Sequence, residues 1–291
     1  MMLNSSEKFP TSDATEHFVE QINEQLSQGI FDAENSQLLE GMVEALADKR
    51  GLVRLSLVEA FGKIGQPAVS FLVEALTHHS NPVVRRSSAK ALAKIRQPDT
   101  ISHLIGAMVK DEDTVVRSSA TGALAGIGSA ALPALLEVIA GEYPEPVKGQ
   151  ATWAIARAGV EAVEPLHLAL KSDKTDIRLA ALEGIAKIAE EHGDKLSQNA
   201  ILSVLQDDDL EVRLEAIASL SRFPSQVALP KLIPLLEDDN LEVAQRAILA
   251  LGKLGKPEVL PILQAKLAEK REGIAQFVKI AISQIEKLNT D

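Results

Sequence analysis

The sequence predicts an all-α solenoid, and three observations carry the prediction. First, one pattern recurs along the chain, with its clearest copy at Thr114 to Gly128, TVVRSSATGALAGIG. A β-branched residue precedes a basic one, and small or apolar residues follow three, six, seven and ten positions later. Those intervals trace one face of an α-helix. Second, the pattern returns at a near-constant period. Its anchors are Arg54, Arg85, Arg117, Lys148, Arg178, Arg213 and Ala244, spaced by 31, 32, 31, 30, 35 and 31 residues. Each follows Val or Ile, and ten residues on stand Ile64, Ile95, Ile127, Ala158, Ile188, Phe223 and Leu254. Self-similarity at this period marks a stack of units that each touch only their neighbours. Third, an apolar segment with helical spacing precedes every anchor helix, and several anchor helices run into a glycine (Gly65, Gly128, Gly159, Gly255). Glycine suits the left-handed position just past a helix.

In chain order, residues 1–12 are polar and aperiodic, and are expected to be disordered. Asp13 to Gln28 carries Phe18, Ile22 and Leu26 on one stripe, with Gly29 as a stop signal. Residues 13–34 are therefore read as an N-terminal capping helix, and 35–291 as the solenoid of about eight helix pairs. The first helices of the pairs include QLLEGMVEAL, QPAVSFLVEAL, QPDTISHLIGAM, SAALPALLEVI and KPEVLPILQAKL. Pro67, Pro98 and Pro257 stand at their starts, where a missing N–H does no harm. Short acidic turns such as Asp111–Asp113 and Asp207–Asp209 lead into the second helices. The 35-residue step holds extra residues around Glu190 to Asp194, expected to bend or twist the stack. Glu272 to Leu288 keeps the apolar spacing without an anchor, as a C-terminal cap would. Ser118 to Leu136 carries no charge over nineteen residues, close to a spanning length. Its Ala, Gly and Ser content, Pro133 and unbroken register read instead as a helix–turn–helix within the stack.

Composition narrows the function. The 291 residues carry 30 basic against 41 acidic side chains, a net charge of -11, and only 3% aromatics. Neither a basic footprint for phosphates nor a platform for base stacking is offered, so nucleic acid is not expected as a partner. There is no cysteine. Disulfides, thiol nucleophiles and covalent thiol carriers on this chain are excluded, which fits a reducing cytosol. MMLNSSEKFPTSD has no apolar core behind a basic start, so a cytoplasmic protein without membrane insertion is expected.

The anchor arginines sit at helix N-termini, the wrong end of the macrodipole for a cation. Their recurrence implies a partner in each unit, read as a ladder of Arg–carboxylate pairs with the acidic turns. Nine residues beyond the anchor stand Lys63, Lys94, Gly126, Arg157, Lys187, Arg222 and Lys253. Cations there compensate the helix dipole; stacked, they would form a basic stripe able to receive carboxylates or an acidic protein. One interruption is informative. Ser118, Ser119, Gly122 and Gly126 remove the bulk from one second helix, while the next unit places Gln150, Trp153 and Arg157 at matching positions. Trp153 is the sole tryptophan. The candidate binding residues are Trp153, Arg157, Gln150, Gly122, Gly126, Ser119, Lys90 and Lys94. Together they suit a flat conjugated ligand with acidic arms, or an aromatic anchor from a protein partner. Alternatively the two glycines permit close helix packing, with Trp153 covering the gap. No catalytic residues and no metal site are assigned: His78–His79 lack companions at ligand spacing, and neither a phosphate loop nor a Ser/His/Asp arrangement is present.

The segments RGLVRLSLVEAFGKIGQPAVSFLVEAL, NPVVRRSSAKALAKI, DEDTVVRSSATGALAGIG and VKGQATWAIARAGVEA resemble the HEAT-like repeats of the phycobilin lyase family, cyanobacterial and algal proteins that handle linear tetrapyrroles on biliproteins. The likeness covers most of Arg50 to Ala162 and continues loosely to the C-terminus. It is similar above all to the phycobilisome-degradation branch, since the aromatic-rich first unit of the attachment-type subunits is absent. The resemblance implies a right-handed superhelix of HEAT-like pairs that binds phycobiliprotein subunits or another antenna protein, with a non-covalent phycobilin as the possible ligand and no intrinsic cofactor. It also implies a place in the cytoplasm beside thylakoid-bound phycobilisomes. The alternatives are a subunit or chaperone of a bilin lyase, working with a second HEAT-repeat subunit, or a pure protein–protein adaptor such as a partner of iron–sulfur scaffolds. A lyase-type activity belongs to the family; an autonomous enzyme is not read from these residues.

Overall fold

The computed structural model describes residues 12–269 and 272–289. The segment expected to be disordered therefore lies outside the described residues, except for Ser12, which opens α1 (Ser12–Gln28). Among the described residues all regular structure is helical, and eight helix pairs follow α1. They form two compact units, one ending at Ala158 and the other beginning at Gly159.

The first unit holds α2 (Ser36–Ala45) and α3 (Gly51–Ile64), α4 (Val69–His78) and α5 (Pro82–Ile95), α6 (Ile101–Lys110) and α7 (Thr114–Ile127), and α8 (Leu132–Ala140) and α9 (Glu145–Ile155). Its second helices pack in series, α1 on α3, α3 on α5, α5 on α7 and α7 on α9. Its first helices form the other layer, α2 on α4, α4 on α6 and α6 on α8. The second unit holds α10 (Val163–Ala169) and α11 (Thr175–His192), α12 (Lys195–Ser203) and α13 (Leu210–Leu220), α14 (Ser225–Leu232) and α15 (Leu241–Leu254), and α16 (Leu260–Ala268) and α17 (Ala275–Leu288). There α11, α13, α15 and α17 pack in series.

The repeat pattern explains both stacks. Seven residues after each anchor position stand Phe61, Leu92, Leu124, Ile155, Ile185, Leu220 and Leu251, all wholly buried. Burying each such side chain contributes about 1.5–3 kcal/mol. Three after the anchor the chain is mostly small (Ala120, Ala151, Ala181, Ala216, Ala247), and these too are fully buried. Small residues let neighbouring helices approach, and the large ones fill the space between layers. The prolines expected at first-helix starts stand in short 3-10 turns, Gln66–Ala68, Pro98–Thr100 and Pro257–Val259, just ahead of α4, α6 and α16.

The anchor arginines do something more local than a carboxylate ladder. In five units Nη1 donates to the backbone carbonyl six residues earlier: Arg54 to Asp48, Arg85 to His79 at 3.0 Å, Arg117 to Asp111 at 2.7 Å, Arg178 to Ser172 at 2.8 Å and Arg213 to Asp207 at 2.6 Å. Each latch ties the turn after a first helix to the start of the second. It offsets the dipole penalty with a charge-assisted bond. Bidentate carboxylate pairs add to the latch at Arg85 with Asp111 (2.9 and 3.0 Å) and at Arg178 with Asp207 (3.1 and 2.9 Å). The expected ladder is thus corrected: its constant partner is a carbonyl, because the guanidinium reaches its own turn first.

The acidic turns have their own division of labour. Asp111 and Asp207 each accept the amide two residues on, at 2.9 Å. Asp113 and Asp209, the third residues, cap α7 and α13 through their side chains. The long step is absorbed as helix, since α11 runs eighteen residues where α3, α5 and α7 run fourteen. The extra residues add about one turn rather than interrupting a helix. The apolar stretch 114–140 reaches a mean hydropathy of 1.8, enough by length and composition for a membrane span. It is broken at Gly128, whose φ of 80° ends α7, and continues through a 3-10 turn into α8. Leu124, Leu132 and Leu135 are buried within the unit, as the helix–turn–helix reading requires.

Gly65, Gly128, Gly159 and Gly255 all have positive φ after their second helices, whereas α5 places Arg96 there at φ 58°. A side chain in that conformation costs roughly 1–2 kcal/mol. Arg96→Gly is therefore expected to stabilise the protein by about 1 kcal/mol and raise its melting temperature by about 2–4 °C. Thermal unfolding followed by circular dichroism checks it, and a lower midpoint would show that the Arg96 side chain stabilises the turn.

Candidate functional site

An open groove of about 410 Å³ runs between α7 and α9, lined by Ser118, Thr121, Pro146, Gly149, Gln150 and Trp153. The two walls are built by the repeat itself. Asp113 accepts the Val115 and Val116 amides at 2.8 and 3.0 Å and so fixes the start of α7. Those amides, with Val116 foremost, hold the Asp113 carboxyl below the usual carboxylate range. α9 begins at Glu145–Pro146, where proline suits a first helical turn. Ala151, Ala154 and Ile155 anchor its inner face in the core. That leaves Pro146, Gly149, Gln150 and Trp153 on the side facing the groove.

Trp153 is 47% exposed, a large indole that the core does not claim. The Arg157 guanidinium lies 4.9 Å from its ring centroid, a cation–π contact that braces the indole from the end of its own helix. Ser118 donates to the Thr114 carbonyl at 2.9 Å, and Thr121 to the Arg117 carbonyl at 2.9 Å. Both hydroxyl hydrogens are thereby committed to the helix, leaving lone pairs. Gln150 is half-buried, and its Oε1 is enclosed without a hydrogen-bond partner. None of the lining residues carries a charge.

The remaining candidates fall around this groove or away from it. Gly122 stands one turn beyond Ser118 on α7, and a Cβ built there meets nothing within 4 Å. It leaves open space rather than permitting a close approach. A Cβ at Gly126 would lie 3.8 Å from the Ala93 carbonyl, so this position faces α5. Ser119 turns its hydroxyl to the Val115 carbonyl at 2.7 Å. Lys90 is exposed on α5, and Lys94 pairs with Glu59 of α3 at 2.6 Å. The groove thus brings Trp153 and Gln150 together with residues that sequence reasoning did not select: Thr121, Pro146 and Gly149, and Ser118 as a lining residue. A signal existed for two of them. Ser118 and Gly149 both follow their anchors by one, where Leu55 and Arg86 stand in the preceding units. Two small residues in consecutive units leave a gap.

The repeats match the family model for HEAT repeats over residues 39–125 and 197–281, and the PBS lyase HEAT-like repeat over 116–141. The chain is a HEAT-repeat protein of the phycobilin-lyase-like kind. It is 33% identical over 196 residues to the bilin biosynthesis protein MpeU of Synechococcus sp. (strain WH8020), covering 67% of this chain and 66% of that protein. It is 35% identical over 88 residues to the uncharacterized phycocyanin operon protein Z of Pseudanabaena tenuis, covering 30% of this chain and 43% of that protein. The chain therefore spans just under two thirds of the first relative and less than half of the second. The complex of CpcE and CpcF of phycocyanin lyase from Nostoc sp. is similar at 18% identity and a TM-score of 0.32, over 64% of this HEAT-repeat chain and 99% of that one. The PBS lyase repeat match contains Ser118 and Thr121, one wall of the groove.

Proposed function

We propose that this HEAT-repeat protein handles linear tetrapyrroles on phycobiliproteins, with the groove between α7 and α9 as the seat for one end of the pigment. The observation that carries the reading is the meeting of the sole tryptophan with a wall of small residues, in a groove whose α7 side lies in the PBS lyase repeat. A flat conjugated ring needs a broad apolar face, which the exposed indole supplies. At about 410 Å³ the groove is near the lower end of small-molecule sites, so it takes part of an extended four-ring pigment rather than the whole. MpeU, named for bilin biosynthesis, favours pigment handling over a plain protein anchor.

The chain has no cysteine, so any thioether to the pigment belongs to the client protein. The role is a non-covalent grip, exerted beside the phycobiliprotein and with a second HEAT-repeat subunit, in the cytoplasm at the antenna. Attachment of pigment and dismantling of the antenna both need that grip; the first agrees with the relative's name, and the second with the degradation branch that the sequence resembles. Titration with free biliverdin tests the reading. The visible absorption of the pigment is expected to change saturably on adding the protein. Gly122→Leu should abolish the change, because a leucine on α7 leans toward the preceding turn and covers Ser118. Helicity should be kept, since Leu favours helix over Gly by about 1 kcal/mol. An unchanged pigment spectrum with the unaltered protein would overturn the proposal.

A further inference from the structure

One polar group of the groove plays no part in stacking a ring on Trp153. Gln150 contributes a carboxamide whose oxygen is enclosed and unpartnered, at a wall that carries no charge. An orphaned acceptor is unfavourable in the empty protein and becomes favourable once a ligand donates to it. Its terminal torsion is soft, and a ligand in the groove meets the oxygen when that torsion turns it out of its enclosed position. A carboxamide presents an acceptor and a donor side by side. The complementary group is a cyclic amide, whose N–H and C=O are held cis on one edge and form two reciprocal hydrogen bonds with it.

A linear tetrapyrrole ends in such lactam rings, while its two carboxylates hang from the middle rings. The surroundings sort these parts. No cation lines the groove; Lys94 is paired with Glu59, and the exposed Arg157 guanidinium, stacked on the Trp153 ring, keeps its charge outside the lining. The Ser118 and Thr121 hydroxyls, with their hydrogens given to the helix, add acceptors for an N–H and nothing for a carboxylate.

Resting on the function proposed above, we infer that the groove reads the terminal lactam ring of the pigment through the Gln150 carboxamide, leaving the carboxylates outside. The acidic arms then lie outside the groove, rather than among Lys90, Lys94 and Arg157 as the sequence alone suggests.

The test uses two probes, biliverdin and its dimethyl ester, with the full chain. The ester keeps both lactams and loses both carboxylates. It is expected to bind within about threefold of the free acid, and raising the salt to about 0.5 M should change neither, because screened charge contributes little. Gln150→Leu keeps the volume, removes the carboxamide and relieves the orphan, so the variant should fold at least as stably as the parent. It should weaken both probes about tenfold. Gln150→Glu keeps an acceptor but sets it against the lactam C=O, and should weaken both to a similar extent. If the ester loses tenfold or more, or Gln150→Leu binds as the parent does, the lactam inference falls while the pigment seat stands. If neither probe binds the unaltered protein, both fall.

Discussion

Arg85→Ala is expected to remove about 3–5 kcal/mol of stability, the cost of breaking a buried ion pair by deleting one partner. Arg85 is only 7% exposed and holds three groups through its four shortest hydrogen bonds. Its Nε and Nη2 grip Asp111 at 2.9 and 3.0 Å, and Nη1 takes the His79 and Ser80 carbonyls at 3.0 and 3.2 Å. Asp111 is also fixed by the turn it makes, accepting the Asp113 amide, so it cannot swing out to water without undoing that turn. The paired carboxylate and the dense hydrogen bonding keep the Arg85 guanidinium charge strongly favoured. Arg117 has the latch without the carboxylate pair, donating to the carbonyls of Asp111 and Glu112. Arg117→Ala should cost about 1–2 kcal/mol. Denaturant midpoints at unchanged slope measure both. Equal shifts would show that the Asp111 pair adds nothing to the latch.

Trp153→Ala should weaken biliverdin by about 30-fold or more, corresponding to the loss of roughly 2 kcal/mol or more at an aromatic anchor. The indole is nearly half exposed and makes no core layer, so stability should change by less than about 1 kcal/mol. Arg157 loses its stacking partner in this variant, which accounts for about 0.5–1 kcal/mol of that change. Affinity and stability therefore separate at this residue. An anchor that merely covered a packing gap would show the reverse, a large fall in melting temperature with binding retained. Isothermal titration together with thermal unfolding of the same sample decides between them.

The fold was legible because burial in a repeat is periodic. The positions three, six and seven after each anchor report the layer contacts directly, and Phe61 to Leu251 in the last column are all buried. Gly65, Gly128 and Gly255 were legible for the same reason, each standing with positive φ at the C-cap of its helix. Spacing says less about what a long side chain reaches. The anchor arginines have two acceptors within range, a carbonyl six residues back and a carboxylate about a repeat ahead, and the pattern does not rank them. The carbonyl is fixed by the helix end, so it is used in every described latch; the carboxylate needs Asp at the right place, which Arg85 and Arg178 have.

The site was legible at its most unusual residue and blurred around it. Trp153 stands out as the only tryptophan, and Gln150 shares its face three residues earlier. Gly126 has the same sequence signature as Gly122, yet a Cβ there would lie 3.8 Å from the Ala93 carbonyl of α5, whereas one at Gly122 meets nothing within 4 Å. Lys94 looked free in one dimension and is answered by Glu59 in three. Thr121 and Pro146 carry no composition signal at all. They enter the groove through the crossing of α7 and α9, which the sequence of either helix alone does not contain.

Hydrogen–deuterium exchange with and without biliverdin tests the central claim most directly. Pigment seated between α7 and α9 is predicted to slow exchange in 114–127 and 145–155, with the Gly122→Leu protein showing no change. Protection confined to residues after Gly159, or none in those two helices at saturating pigment, would contradict the account.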